Sequence, residues 1–249
     1  GKTRLAVDLA RRFNGNIVSA DSRQVYRGMD IGTGKDLGEY GEGEHRVPVH
    51  LLDVAAPTET FNLHRYVRLA REAIANIATE RRLPILCGGS HLYVDALVRN
   101  YKLEGGPPRP EFRAACEAKS TTELAEELAR LAPERHARTD LTQRKRIIRA
   151  LEIAAQAQNA PPPLPDLPLV PLMLGPYYPR PEIHARIAAR LDARIDEGLL
   201  EEVTALHNGG VSWQRLEFLG LEYRFAARHL RGDIGRATFR EQLLAAIRR

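Results

Sequence analysis

Amphipathic stretches and short apolar runs alternate through the first part of the chain. Leu5, Leu9 and Phe13 recur every four residues, which is the spacing of one helix face. Asn16–Ala20 and Leu83–Cys87 are short apolar runs of the kind that forms buried strands in a parallel sheet. The pattern therefore predicts a helix followed by strands whose two faces are both covered.

A further strand and helix are predicted between these two runs. Val47–Asp53 is the strand candidate, and Asn62 is placed to cap the helix that follows it. The apolar face of this helix is formed by Tyr66, Leu69, Ala73, Ile74 and Ile77. Strands that alternate with helices favour a parallel, doubly wound α/β sheet.

The strand pattern stops at Gly105-Gly106-Pro107-Pro108. Two helical runs follow, Glu111–Lys119 and Thr122–Leu131, and they predict a helical insertion. Asn159–Pro163 has the composition of a linker. Beyond it, Leu169–Leu174 is predicted to be a last strand, which its central proline would confine to the sheet edge.

From Pro181 onward the pattern is helical, with Ile183, Ile187, Leu191 and Ile195 as a buried stripe. The sequence thus predicts an α/β protein with a parallel sheet core, a helical insertion and a helical C-terminal part. The predicted bounds are 1–104 for the core and 105–140 for the insertion. The rest, 141–249, holds a basic helix, the last strand and helices that return to the core.

Composition narrows the class of protein. The chain has 249 residues, of which 43% are hydrophobic, so it can bury a core and is unlike a disordered segment. Its net charge of +5 suits a polyanionic partner. Cys87 and Cys116 lie too far apart for a paired metal motif, which predicts reduced thiols and a cytoplasmic protein. No apolar run approaches the roughly 20 residues that span a bilayer, so no membrane partner is expected.

Gly1-Lys2-Thr3 matches the last residues of a phosphate-binding loop that opens a helix. In such loops the lysine reaches terminal phosphates and the threonine hydroxyl ligates Mg2+. An ordinary helix start with an exposed lysine is the alternative. Because no Met precedes Gly1, we expect a chain that begins inside a longer gene product, lacks the start of the loop and is itself poorly active.

Polar residues follow both central strand candidates. Asp21 follows the first strand, and the segment from it to Lys35 mixes glycines, charges and hydroxyls as functional loops do. Gly88-Gly89-Ser90 follows the strand that ends at Cys87, although a plain tight turn would have the same composition. Because ligands gather at the carboxyl ends of parallel strands, Asp21 and Ser90 are expected to face one site.

Basic residues form two groups later in the chain. The first comprises Arg135, Arg138, Arg144, Lys145, Arg146 and Arg149. The second is a helical stripe of Arg186, Arg190 and Arg194, which either binds an anion or pairs with neighbouring acids such as Asp192, Asp196 and Glu197. For the first group the alternatives are a solvated helix face and contact with phosphates.

Several motifs occur together and in order. They are Asp21-Ser22, Tyr26–Lys35, Cys87–Tyr93, Arg146–Glu152 and the helix with Arg186 and Arg190. With them the chain resembles the tRNA dimethylallyltransferases of the IPP transferase family over nearly its whole length. The resemblance implies a P-loop NTPase-like core and transfer of a dimethylallyl group from its diphosphate to the exocyclic amine of the adenosine 3′ of the anticodon.

The resemblance also implies residue roles. Asp21 and Ser90 are expected to be catalytic, while Gly1, Lys2, Thr3 and Arg190 bind diphosphate, with Thr3 on Mg2+. The implied tRNA contacts are Asp21, Ser22, Arg23, Gln24, Ser90, Arg113, Lys145, Arg146 and Arg149. Leu219–Tyr223 departs from the family pattern, so no role is carried over to residues 217–224.

Other functions share parts of this pattern. An isopentenyltransferase acting on free adenine nucleotide would use the same chemistry, but it would need neither the insertion nor the basic helix. A P-loop small-molecule kinase shares the Gly1-Lys2-Thr3 helix and the sheet. A nucleic-acid-binding module with an inactive loop is a third class. The expected partners are the tRNA anticodon stem-loop and dimethylallyl diphosphate, and the expected state is a monomer.

Overall fold

The computed structural model describes residues 1–103, 106–156 and 166–248. The linker predicted over Asn159–Pro163 and the predicted boundary between residues 104 and 105 lie outside these ranges. The chain divides into two compact units. The first comprises Gly1–Phe61, Leu69–Val98 and Leu169–Arg249, and the second comprises Asn62–Arg68 and Arg99–Pro168.

Helices make up most of the regular structure. The strands within the described ranges are β1 (Gly15–Ser19), β2 (Val49–His50) and β3 (Leu83–Cys87). The helices there are α1 (Lys2–Arg12), α2 (Leu63–Thr79), α3 (His91–Val98), α4 (Pro110–Glu117), α5 (Thr121–Leu131), α6 (Pro133–Arg138), α7 (Arg144–Gln156), α8 (Arg180–Asp196), α9 (Leu199–Asn208), α10 (Trp213–Phe218), α11 (Leu221–Leu230) and α12 (Arg236–Ile247). None of them combines the length and apolar character that a membrane crossing requires.

The sheet has the strand order β2-β1-β3, and both pairings are parallel. Ile17 on the central strand lies beside Val49 on one side and Ile85 on the other. Ile17 and Val18 are fully buried, as the apolar run predicts for a central strand. Helix α1 buries Val7 against this sheet. The predicted α/β class with a parallel sheet is confirmed.

Two of the predicted strands are not formed as expected. Of Val47–Asp53 only Val49–His50 forms a strand, β2, which ends there because Leu51 and Asp53 adopt positive φ values of 67° and 57° and turn the chain away. Leu169–Leu174 forms no strand at all. A strand needs a hydrogen-bonded neighbour, and none of the described strands pairs with this segment, in which Pro171 also lacks an N–H donor.

The larger core of the first unit joins the C-terminal helices to the loop that follows β1. Tyr26 and Met29 from the loop are buried with Leu191 of α8, Val203 of α9 and Phe239 of α12. The predicted stripe on α8 is thus buried in part: Leu191 is in the core, whereas Ile183 is exposed. These helices therefore provide the surface on which the loop from Asp21 to Lys35 folds.

The second unit has a core of its own. Leu124 and Leu128 of α5 pack with Ile147, Ile148 and Leu151 of α7. The inward face predicted for the basic helix is thereby confirmed. Helix α5 begins with a complete capping box, in which Ser120 and Glu123 exchange side-chain and backbone hydrogen bonds.

Candidate active site

Asp21 and Ser90 follow the carboxyl ends of β1 and β3, which are neighbouring strands. The two segments are joined directly, because the Ser22 N–H donates to Ser90 Oγ at 2.8 Å. Ser90 also donates its own N–H to the carbonyl of Ala20 at 3.1 Å. The predicted meeting of Asp21 and Ser90 at one sheet edge therefore has a definite hydrogen-bonded geometry.

Gly88 makes this junction possible. A Cβ at Gly88 would lie 2.1 Å from the carbonyl oxygen of Ala20, which is closer than any side chain allows. At Gly89, by contrast, a Cβ would meet nothing within 4 Å. Only the first glycine is therefore required for the close approach of the two strand ends.

The Asp21 carboxylate is oriented by its own loop. Oδ1 accepts hydrogen bonds from the N–H groups of Arg23 at 2.8 Å and Gln24 at 3.3 Å. Within the described ranges no hydrogen bond is made to Oδ2. The backbone thus fixes the carboxylate through one oxygen and leaves the other able to accept a proton.

The start of α1 lies at the same end of the sheet. Burial raises the pKa of the Cys87 thiol; the Lys2 ammonium opposes that rise, and Glu39 and Asp21 add to it. A thiol at the end of β3 is thus influenced by charges at the start of α1 and after β1.

The loop opposite Asp21 is held by Glu202 of α9. Its carboxylate accepts the N–H groups of Asp30 and Ile31, both at 2.7 Å, and that of Gly32 at 3.0 Å. The hydroxyl of Tyr223 donates to the same carboxylate at 2.7 Å. One edge of the loop, from Asp30 to Gly32, is thus clamped by an acid far away in sequence.

Two further side chains tie this loop down. Lys35 is fully buried, and its ammonium contacts Asp30 at 2.6 Å, Asp53 at 2.5 Å and the carbonyl of Tyr26 at 2.8 Å. The Gln24 amide donates to the carbonyl of Gly34 at 2.9 Å. In the structure this amide is hydrogen-bonded within the loop. The contact of Gln24 with tRNA stays a prediction.

A cleft of about 180 Å³ opens beside the Asp21 carboxylate. Its wall combines the loop after β1, the loop near Gly32 and the start of α11. The lining residues are Asp21, Arg23, Gly32, Thr33, Leu219, Gly220, Glu222 and Tyr223. The cleft thus brings two acidic residues, Asp21 and Glu222, and one arginine, Arg23, to one mainly polar concave surface.

The arginine stripe on α8 differs from the sequence-based interpretation. Arg194 is buried, lies 3.6 Å from Glu222, and its guanidinium fills the space where a Cβ of Gly34 would be. Its pKa is lowered by burial and by Arg190. The predicted pairing with acids of its own helix is wrong for this residue, because the side chain points into the core.

Arg190 remains exposed one helical turn earlier. Its side chain forms no hydrogen bond or ion pair with the residues that the structure describes. Its guanidinium is therefore available to an anion from solvent. Arg186, the first arginine of the stripe, is engaged by Glu182 at 2.8 Å.

The predicted RNA contacts of the second unit fall into two kinds. Arg113 and Arg149 both bind the fully buried carboxylate of Glu152, at 3.1 and 2.7 Å. Burial by itself raises the pKa of Glu152, but the hydrogen bonds from Arg113, the Arg109 N–H and Arg149 outweigh it and lower that pKa to about 2. The two arginines therefore have a structural partner already.

Lys145 and Arg146 are exposed on the first turn of α7. Arg146 pairs with Asp140 at 3.0 Å, and both side chains of this pair are open to solvent. An exposed pair of this kind is weak and readily exchanged for a phosphate. These two residues are thus the most accessible cations of the predicted RNA surface.

Sequence reasoning missed Glu202 and Tyr223. Their role depends on three backbone amides some 170 residues earlier in the chain. Nothing in the local pattern of α9 marks Glu202 apart from its neighbour Glu201. A long-range backbone cap of this kind has no sequence signal.

Comparison with known proteins agrees with the resemblance. Residues 24–249 match the IPP transferase family. The chain is 48% identical over 250 residues to tRNA dimethylallyltransferase 2 of Trichlorobacter lovleyi, covering 99% of this chain and 80% of that protein. It is 44% identical over 248 residues to tRNA dimethylallyltransferase 1 of Geotalea uraniireducens, with 99% and 80% covered.

Solved structures share the fold. The tRNA isopentenylpyrophosphate transferase of Bacillus halodurans matches with a TM-score of 0.64 and 30% identity, over 100% of this chain and 79% of that one. A eukaryotic dimethylallyltransferase acting on tRNA matches with a TM-score of 0.78 over 100% of this chain and 64% of that one; its 21% identity supports the fold alone. The predicted P-loop NTPase-like α/β class is confirmed. The chain belongs to the IPP transferase family.

Proposed function

We propose that the chain transfers a dimethylallyl group from dimethylallyl diphosphate to the exocyclic amine of the adenosine 3′ of the anticodon in tRNA, releasing diphosphate. The observation that carries this is the Asp21 carboxylate, which is held at the sheet edge through Oδ1 with Oδ2 open. The names of the relatives, tRNA dimethylallyltransferases, support the same reaction.

Asp21 acts as the general base. The adenine amine is a weak nucleophile because its lone pair is delocalised into the ring, so its proton must be accepted as the new bond forms. Asp21 Oδ2 takes this proton while nitrogen bonds to C1 of the dimethylallyl group. The C1–O bond breaks, and its electron pair leaves with the diphosphate. Ser90 Oγ, fixed by the Ser22 N–H, orients the groups beside the amine.

Cations at two places stabilise the leaving diphosphate. Lys2 lies at the start of α1, where Gly1 has no side chain to cap the first N–H groups of the helix. Those amides and the helix dipole favour an anion. Arg190 adds an exposed guanidinium from α8. Because the charge on the leaving group grows in the transition state, these contacts accelerate the transfer.

A divalent cation fits this arrangement. Mg2+ usually keeps several waters and binds substrate phosphates, with only one or two protein oxygens. The described residues contain no group of three or more acids, histidines or cysteines that could hold a metal ion, but the Thr3 hydroxyl in the first turn of α1 is a suitable single oxygen donor. Thr3 would hold Mg2+, which would neutralise diphosphate charge.

The RNA is bound by basic and polar side chains from both units. In the first unit these are Asp21, Ser22, Arg23, Gln24 and Ser90. In the second they are Arg113, Lys145, Arg146 and Arg149, of which Lys145 and Arg146 are the exposed pair. Enzymes that modify a base in a folded nucleic acid take it out of its stack, which requires such contacts with the flanking backbone. We place the reaction in the cytoplasm, where tRNA is used.

The test is transfer of labelled dimethylallyl to an anticodon stem-loop. The matched control RNA carries unsubstituted purine at the target position, so that only the exocyclic amine is missing. We expect labelled RNA and diphosphate from the first and neither from the second. Release of ADP from ATP without prenylated RNA would assign a kinase instead, and equal transfer to free AMP would assign the free-nucleotide reaction.

The salt dependence of RNA affinity tests the proposed phosphate contacts of the second unit separately. Each phosphate contact adds somewhat under one unit to the slope of log affinity against log salt. Replacing Lys145 and Arg146 together by alanine should reduce this slope by about 1 to 2 units. Replacing Lys102, an exposed lysine outside the proposed surface, should leave it unchanged.

A further inference from the structure

The Glu202 carboxylate occupies an anion-binding nest that the loop after β1 forms with successive backbone amides. Its Oε2 accepts the N–H groups of Asp30 and Ile31, and its Oε1 accepts the N–H of Gly32 and the hydroxyl of Tyr223. Among the residues that the structure describes, no lysine or arginine pairs with Glu202. Its charge is therefore held by backbone and hydroxyl dipoles, as anions are held in nests of successive amides. The three amides of residues 30–32 are called the loop nest below.

The loop nest forms part of the wall of the cleft that contains Asp21. Gly32 and the next residue, Thr33, both line that cleft. A Cβ at Gly32 would lie 2.6 Å from the Tyr223 ring, so the loop rests directly on this ring, which lines the cleft too. Because the Glu202 carboxylate bonds to Gly32 and to Tyr223, it sets the relative position of two parts of the wall.

The same loop is connected to the Asp21 carboxylate through Gln24. The side-chain amide of Gln24 donates to the carbonyl of Gly34 at 2.9 Å, two residues beyond the loop nest. Its backbone N–H donates to Asp21 Oδ1 at 3.3 Å, and its Oε1 accepts the hydroxyl of Ser19 at 3.1 Å. A displacement of the loop is therefore transmitted to the segment that orients Asp21.

We propose that Glu202 is a positioning residue for the adenosine that enters the cleft. This rests on the proposed function. Both carboxylate oxygens already accept two hydrogen bonds each, so Glu202 acts by fixing the loop nest, and through it the cleft wall, without contacting a substrate. An anion is required, because three N–H donors converge on one point and charge-assisted hydrogen bonds are about twice as strong as neutral ones. A misplacement of about 1 Å in such a wall lowers a reaction rate about 100-fold.

A cavity on the surface gives access to this carboxylate. Glu202 lines it together with Gly28, Ala205 and Leu206, and its volume is about 360 Å³. Replacing Glu202 by alanine would extend the cavity toward the loop nest. Acetate has the carbon and oxygen atoms that this substitution removes, so it can enter the vacated space and restore an anion to the three amides.

The experiment measures transfer of labelled dimethylallyl to the anticodon stem-loop by Glu202→Ala and Glu202→Gln in the full chain, at a temperature below their melting transitions. Glutamine keeps the size of the side chain, but it is neutral, turns N–H donors toward the loop nest and leaves no room for acetate. Acetate is the rescuing anion, and acetamide is its matched neutral control. Glu201→Ala, at the exposed neighbouring position, is the control variant.

Both Glu202 variants should reduce kcat/KM for the stem-loop roughly 10- to 100-fold, through a lower kcat and a higher KM for the RNA. The affinity for dimethylallyl diphosphate should stay as in the unaltered chain. Acetate should raise kcat/KM of Glu202→Ala about 10-fold without changing that of Glu202→Gln, whereas acetamide should restore neither variant. Glu201→Ala should react as the unaltered chain does.

A normal kcat/KM of Glu202→Ala would overturn the positioning proposal, while transfer by the unaltered chain would still support the function. A loss that acetate does not reverse, or that acetamide reverses equally well, would overturn it too. If Glu202→Ala does not fold, Glu202→Gln decides by its kcat/KM, and a failure of both to fold would assign Glu202 to stability alone and overturn the proposal. If the unaltered chain does not prenylate the stem-loop, the proposed function fails, and the positioning proposal fails with it.

Discussion

The backbone N–H of Ser22 donates a hydrogen bond to Ser90 Oγ at 2.8 Å. This one contact connects the loop after β1 to the loop after β3, which lie 68 residues apart in sequence. It sets the Ser90 hydroxyl next to the segment whose amides hold the Asp21 carboxylate. The geometry of the proposed catalytic pair therefore depends on how closely the two strand ends approach.

Gly88→Ala should disrupt this approach. The new Cβ would lie 2.1 Å from the carbonyl oxygen of Ala20, so backbone must move, at a cost of about 2 kcal/mol or more. Gly89→Ala adds the same methyl group to open space and should change stability by less than about 0.5 kcal/mol. Chemical denaturation and prenyl transfer measure both effects. Equal behaviour of the two variants would mean that the close approach is unimportant.

Glu202→Ala should loosen the loop over the cleft. Removing the carboxylate leaves three N–H groups and the Tyr223 hydroxyl without their acceptor, and bonds to a charged group contribute about 1.5 to 3 kcal/mol each. Even with water replacing some of these hydrogen bonds, we expect the free energy of unfolding to fall by about 3 kcal/mol. Glu201→Ala, at the exposed neighbouring position, should cost less than about 0.5 kcal/mol. A stable Glu202→Ala variant would show that solvent replaces the clamp fully.

Alanine substitutions at Arg190 and Arg194 should affect different properties, ligand binding in the first case and stability in the second. Arg194→Ala removes a buried guanidinium packed on Gly34 and should lower the free energy of unfolding by about 1 to 3 kcal/mol. Arg190→Ala should leave stability unchanged but weaken binding of dimethylallyl diphosphate by about 1.5 to 3 kcal/mol, the contribution of a charge-assisted hydrogen bond. Thermal melts and ligand titration separate the two. A reversed pattern would mean that Arg194 is the diphosphate ligand.

Glu152 should make stability depend on pH. Its pKa is lowered from 4.5 to about 2 in the folded chain, so its contribution is fully present above pH 4.5 and is lost as the pH falls toward 2. The size is about 3 kcal/mol, from 1.36 kcal/mol per pKa unit. The stability difference between the unaltered chain and Glu152→Gln should therefore shrink on acidification. A difference that is constant between pH 7 and pH 3 would contradict the Arg113–Glu152–Arg149 arrangement.

The sequence predicts the site where its geometry follows from neighbouring strands. Buried runs identify β1 and β3, parallel pairing brings their carboxyl ends together, and Asp21 and Ser90 therefore meet. Pairing between distant segments is not encoded locally, which is why Leu169–Leu174 was wrongly predicted to be a strand. The burial of Arg194 and the cap formed by Glu202 depend in the same way on how the C-terminal helices pack on the loop. The spacing of apolar residues within each helix does not predict this packing.

In the proposed reaction Asp21 accepts the proton of the adenine amine. Asp21→Asn keeps the size of the side chain and an oxygen for the amides of Arg23 and Gln24, but it removes the base. The decisive measurement is the single-turnover rate of labelled dimethylallyl transfer to the stem-loop, with both substrates saturating. We expect the Asp21→Asn rate to fall about 100-fold or more, with unchanged melting temperature and unchanged affinity for both substrates. A single-turnover rate close to that of the unaltered chain would contradict it.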